Sequence, residues 1–192
     1  STRGNPFFVE GVLYTLVENE TVRWGANGWV VGDISRVRLP QSANLLLGER
    51  VQRMGEAVRE TLAQAAVLGH AFAFSVLQEM TGLAESDLAQ HVGQAVTARI
   101  LLDRSSTTEE RFEFADDRVR EALYETVPSP VRRRHHHSAG RAIEAVYGDG
   151  VEEHIEALAY HFVHTADFSK AVGYCCRAGA KGDRAFAWNQ AI

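Results

Sequence analysis

Cysteine is nearly absent from this 192-residue chain: there are two, adjacent at Cys175 and Cys176. Neighbouring positions on a helix point in different directions and a vicinal disulfide would be strained, so both read as reduced packing residues. Proline is sparse as well, at four residues, and the positions are informative because Pro6, Pro40 and Pro130 each suit the start of a helix. Long apolar runs are missing, as is a positively charged leader with a small-residue cleavage site, so neither a spanning helix nor a secretory signal is indicated. A cytoplasmic protein with no membrane partner is expected. Positive charge is not in excess either: a net charge of -5 argues against a nucleic-acid footprint over the whole chain, though a local basic patch remains open. There is no G-x-x-x-x-G-K-[ST] loop to cradle phosphates and no strand-borne acidic pair, and Lys181-Gly182-Asp183 is too short to substitute. No Ser/His/Asp or Cys/His arrangement is suggested locally. The chain is therefore not expected to be an enzyme by itself.

At 45% hydrophobic residues the chain can bury a sizeable core, as one domain or two small ones. Its most ordered pattern runs from Gly55 to Val127. Val58, Leu62, Ala65 and Gly69 recur at helical spacing, as do Leu88, Val92, Ala95 and Val96, and Gly69 and Gly82 stand where two helices should stop. The run ILLD is followed by the polar tip SSTTEE and by the alternation Phe112, Phe114, which predicts a two-stranded wing. A closing helix follows as DDRVREALYETV. Three helices and a wing make a winged helix-turn-helix.

Before this stretch, Phe8, Val12, Leu13 and Leu16 follow helical spacing after Pro6. TVRWGANGWVVG then reads as a hairpin turning at Gly25-Ala26-Asn27-Gly28, with Trp24 and Trp29 packing across it. Pro40 opens a further helix containing Leu47, Val51 and Met54. After the stretch, Pro128-Ser129-Pro130 predicts a boundary with Ser129 as N-cap. A helix should then run to Gly148, and two antiparallel helices should follow, joined at Ala166-Asp167. The expected fold class is mainly α, divided as a lid-like helix, hairpin and connecting helix (1–54), a winged-helix domain (55–127) and a helical linker entering repeats (128–192).

Leu158-Ala159-Tyr160, Phe162, Ala166-Asp167-Phe168, Lys170-Ala171-Val172, Tyr174 and Ala178 resemble a tetratricopeptide repeat, and Trp188 to Ile192 resembles the inter-helix turn of a following one. A repeat needs neighbours to bury its faces, so the chain is expected to be a fragment. The order GNPFF helix, hairpin, LP-initiated helix, AAVLG helix, wing, F-x-F-A-D-D-x-V-R-E-A-L-Y, RRR-H helix and repeat onset is similar to the segment following the nucleotide-binding core in STAND-class signal-transduction ATPases. These are the AAA-like ATPases of large LuxR-type transcriptional regulators and multidomain cyclases or kinases. The resemblance implies that Gly4 and Pro6 lie beside the adenine of ATP or ADP, bound with Mg in the intact parent and not by the fragment. It also implies that the winged helix couples an upstream nucleotide-binding domain to a downstream repeat sensor for a protein or small-molecule ligand. Val127 to Pro130 is the expected pivot.

Two rival readings are a DNA-binding winged-helix transcription factor and a tetratricopeptide scaffold for protein–protein interaction. A DNA-reading helix needs Arg, Lys, Asn or Gln outward and cations nearby. The third helix instead offers Glu85, Asp87, Gln90, His91, Gln94 and Arg99, and the wing sets Glu109 and Glu110 beside Arg104 and Arg111, which argues against DNA as a partner. The run Arg132-Arg133-Arg134-His135-His136-His137 fans around a helix, so a solvated face with one or two buried members is expected in place of a phosphate patch. His161 and His164, three apart, could ligate a metal, but no third ligand follows and packing or capping is the better reading. Asp116 and Asp117 read as N-terminal charges of the closing helix.

Overall fold

The structure, a computed structural model, describes residues 16–17, 21–25, 28–32 and 50–190, the side chains of 184–190 excepted. Gly4, Pro6, most of the helix expected after them, Ala26, Asn27, the helix expected at Pro40 up to residue 49, the side chains from Trp188 to Gln190, and Ala191 and Ile192 lie outside the described residues. The chain divides into two compact units, Ser1–Met54 and Gly55–Ile192.

In the first unit, strands β1 (Val22–Gly25) and β2 (Gly28–Val31) pair antiparallel with Trp24 opposite Trp29. Their rings meet edge to face at 5.2 Å, so the expected cross-strand pair is present.

The second unit runs α1 (Glu56–Leu68), β3 (Ala71–Ala73), α2 (Phe74–Thr81), α3 (Glu85–Thr97), β4 (Leu101–Asp103), β5 (Arg111–Phe114), α4 (Asp117–Thr126), α5 (Ser129–Tyr147), a 3-10 segment (Gly148–His154), α6 (Ile155–Val163) and α7 (Phe168–Gln190). Helix α1 buries Val58, Leu62 and Ala65, and α3 buries Leu88, Val92 and Ala95. Gly69 ends α1 at φ 136 and Gly82 ends α2 at φ 68, the left-handed conformation that a side chain resists.

The sheet has three strands, one more than the alternation predicts. Strand β5 lies in the middle in the order β3-β5-β4, with Phe72 opposite Phe112 and Leu101 opposite Phe114. Three residues between a glycine and a helix give too short an alternation to reveal β3. The strand exists because β5 supplies its hydrogen-bond partners, and because Phe72 stacks near both Phe112 and Phe114 at 6.3 and 6.1 Å. Asp116 caps α4, its carboxylate accepting from the Arg118 amide at 2.8 Å, and Asp117 pairs with Arg120. Both aspartates thus serve the helix start.

Helix α5 begins one residue earlier than expected, with Pro128 rather than Ser129 as N-cap. Proline already supplies the extended backbone that an N-cap needs, and the Ser129 hydroxyl is left to accept from Arg132. A continuous core crosses the expected pivot: Val67, Ala73, Val76 and Met80 pack with Ala139, Ala142, Ile143, Leu158 and Phe162, and Val127 itself is buried. Residues on both sides of Val127 to Pro130 therefore belong to one packed body. After Gly148 the chain winds first as a 3-10 segment, so α6 starts only at Ile155. The turn at Thr165–Asp167 joins α6 to α7, and the two helices pack against each other. Helix α7 then runs through Gly182 to Gln190. That glycine adopts no positive φ, and no proline follows to stop the helix.

Gly140 sets the spacing between α5 and α6. A Cβ there would lie 2.8 Å from the ring of Phe162, which is fully buried. Alanine gains about 1 kcal/mol of helix propensity over glycine, but forcing a methyl into a filled core costs about 1–3 kcal/mol. Gly140→Ala should therefore lower the urea midpoint, and its cost should shrink in a Phe162→Leu background. A Gly140→Ala protein more stable than the parent would refute this account of the contact.

Candidate functional site at the α4–α5–α6 junction

The basic run on α5 disperses around the helix, as its spacing requires. Arg132 turns to α4, donating to the Tyr124 carbonyl at 3.3 Å and lying 4.5 Å over the Tyr124 ring. Arg133, Arg134 and His137 face outward and His135 is half-buried. His136 falls on the stripe of Ala139, Gly140 and Ile143 and is 1% exposed.

His136 is held at both ring nitrogens. Its Nε2 is 3.0 Å from the Tyr124 hydroxyl and its Nδ1 is 3.0 Å from Nδ1 of His161, itself 1% exposed. Two imidazoles meeting Nδ1 to Nδ1 need one donor and one acceptor. When the tyrosine hydroxyl donates to Nε2, His136 donates to His161; when His161 donates, His136 donates from Nε2 to the tyrosine oxygen. The relay is complete in both settings with neutral rings. His164 stacks on His136 at 4.6 Å between ring centres, and its own Nδ1 lies 2.8 Å from the Tyr160 carbonyl. His161 and His164 thus each engage a partner through Nδ1. Among the described residues no group of three or more His, Cys, Asp or Glu is placed to hold a metal.

Burial pushes His136 down to about 3, with His161, His164 and Arg132 adding unfavourable charge. Burial likewise lowers His161 to about 4. Neutral, enclosed rings suit the fastening of α4, α5 and α6 in register better than proton exchange with solvent.

A second tie joins the β4–β5 loop to the C-terminal end of α5. The Tyr147 hydroxyl donates to Glu109 Oε1 at 2.9 Å, and burial with this bond raises the phenol to about 12. Tyr147 also stacks on His154. Glu109 pairs in addition with Arg111, and Arg104 with Glu113, so the arginines of this hairpin are engaged by its own carboxylates. Helix α3 presents Glu85, Asp87, Gln90 and Gln94 outward, but not His91, whose Nδ1 turns inward to the Thr61 hydroxyl at 2.8 Å. Farther along, Glu144 accepts from Lys170 and from the Tyr174 hydroxyl, while Arg177 pairs with Glu152 and Lys181 with Glu156, fastening α7 between Lys170 and Lys181.

Sequence reasoning located His161 but not its partner, 25 residues away. The available signal was the register of His136 with the apolar positions of α5. Tyr124, Tyr147 and Glu109 carry no local signal of their roles. No described helix is long and apolar enough to cross a membrane. No family model, curated protein or solved structure matches the chain.

The two histidines give stability a pH dependence of definite sign. Their folded pKa values lie below the unfolded value near 6.5, so the unfolded chain binds more protons between about pH 6.5 and pH 4. The stability these rings contribute is present above that window and falls as pH drops through it, by up to about 3 kcal/mol per pH unit for two protons. An NMR titration of the His136 and His161 ring protons should show both neutral at pH 5. A midpoint at or above 6 for either ring would contradict the relay.

Proposed function

We propose that the chain is a regulatory, non-catalytic coupling element of a STAND-type signal-transduction ATPase. In this reading Gly55–Ile192 serves as a stiff arm between a nucleotide-binding domain and a repeat sensor. The observation that carries the reading is the unbroken packing from α1 to α7, with Tyr124, His136 and His161 in line across α4, α5 and α6. An element of this kind transmits a displacement because its parts cannot move separately. The order helix, strand, helix, helix, strand, strand, with the last strand central, supports a winged helix as the arm's first half. Phe168 and Val172, exposed on α7, are what a tetratricopeptide helix leaves for its next repeat to cover. The adenine contact of Gly4 and Pro6, with ATP or ADP and Mg, belongs to this proposal for the intact parent alone.

Transcription-factor readout of DNA is the weaker reading. Helix α3 contains no lysine or arginine, its first turn holds Glu85 and Asp87, and the hairpin is tied down through Glu109. Specific duplex binding draws on such cations for most of its affinity.

Two measurements test the proposal. The open reading frame around the chain should encode a phosphate-binding loop upstream and further helical repeats downstream, and the absence of both would overturn it. In that longer protein, Tyr147→Phe with Glu109→Gln should alter ATP-dependent output while leaving the fold intact. Tight, steeply salt-dependent duplex binding by the isolated chain would favour the transcription-factor reading instead.

A further inference from the structure

Arg133, Arg134, His137 and Ser138 of α5 line a cleft of about 520 Å³ whose other wall is the turn Thr165–Ala166–Asp167 between α6 and α7. Positions three and four apart share a side of a helix, which brings His137 alongside both arginines, whereas Arg132 one residue earlier is drawn to Tyr124. The opposite wall is fixed by its own bonds. The Thr165 hydroxyl donates to the Phe162 carbonyl at 2.8 Å and accepts from the Asp167 amide at 3.1 Å. The Asp167 carboxylate accepts from the Lys170 amide at 3.1 Å and so is committed to the start of α7.

Several other cations of this unit hold anions. Arg120 holds Asp117, Lys170 holds Glu144, Arg177 holds Glu152 and Lys181 holds Glu156. Arg133 and Arg134 make no ion pair or hydrogen bond among the described residues, although the chain carries more acidic than basic side chains, 25 against 20. Arg141 also lacks an ion pair but does not line the cleft, whereas Arg133 and Arg134 stand on its wall with their donors open to an anion from solution.

We propose that this cleft binds the phosphate group of a small phosphomonoester. Two guanidinium forks present more donors than one carboxylate can use and match the oxygens of a phosphate. The hydroxyl of Ser138 and an imidazole N–H of His137 add donors from the same wall, and the volume suits a small ligand. After Asp167 is counted the cleft keeps one net positive charge, enough for a single phosphate. A long polyanion would meet the net charge of -5 carried by the rest of the chain. This assignment stands independently of the coupling role.

The test is a titration of the full chain at low salt, followed by NMR at the arginine Nε–H signals and the Thr165 to Asp167 amides. The probes are inorganic phosphate, adenosine monophosphate and a short DNA duplex, in the unaltered protein, in Arg133→Gln/Arg134→Gln and in Arg141→Gln. Arg141 is exposed on α5 and does not line the cleft. Saturable shifts with the monoester are expected, weakened about tenfold by loss of each guanidinium and retained in Arg141→Gln. Inorganic phosphate should compete for the same signals with lower affinity. Three results would each overturn the site: no saturation with the monoester, equal weakening in Arg141→Gln, or binding confined to the duplex. Both variants alter exposed residues only, so an unchanged thermal midpoint shows that the fold is intact.

Discussion

Helix α5 must bury two sides at once, and the second unit is arranged around that requirement. Ala139, Ala142 and Ile143 meet α1 and α2, while Gly140 lets Phe162 of α6 come against the α5 backbone. Small side chains are what allow this: a helix sandwiched between neighbours has no room for long ones at its points of closest approach. Cys175 and Cys176, on the less crowded α7, are exposed. The same enclosure carries His136 and His161 out of water, which makes their mutual hydrogen bond obligatory.

The polar contacts divide by depth into two kinds. Tyr124, His136 and His161 form a short buried chain in which each group would be costly if left alone, so the chain specifies how α4, α5 and α6 fit together. The ion pairs along α7 are solvated and individually weak, and they act as a row between Lys170 and Lys181. Tyr147 stands between these cases, tying a loop that would otherwise project freely. The arginine run on the same α5 serves three different ends within a few residues, because successive helical positions point about a quarter-turn apart: Arg132 packs on tyrosine, Arg133 and Arg134 face a cleft, and His136 enters the core.

Much of this was legible from residue order. The spacing of Val58, Leu62 and Ala65 and of Leu88, Val92 and Ala95 identified the buried faces of α1 and α3, and Gly69, Gly82 and Gly148 marked the ends of three helices. Asp116 was readable as a helix start and Trp24 with Trp29 as a hairpin pair. These are local signals, set by backbone geometry over one or two turns. Strand β3 was not legible, since three residues carry too little periodicity. Nor were the 3-10 segment before α6 and the uninterrupted run of α7 past Gly182, where local sequence allows more than one continuation. Of the site, His161 was visible as a histidine on an apolar helix. The identity of its partner was not.

The sequence by itself determined which faces are apolar, where most helices begin and end, and that the basic run had to spread around its helix, because each of these depends on spacing along one element. Tertiary structure decided that residues on both sides of Val127 to Pro130 pack into a shared core. It also decided that His136 meets His161, that Tyr147 holds Glu109, and that Arg133 and Arg134 line a cleft against the α6–α7 turn without forming an ion pair there. Those outcomes join residues more than 20 positions apart. Only the packing of helices against one another, which no local pattern encodes, brings such groups within a hydrogen bond's reach.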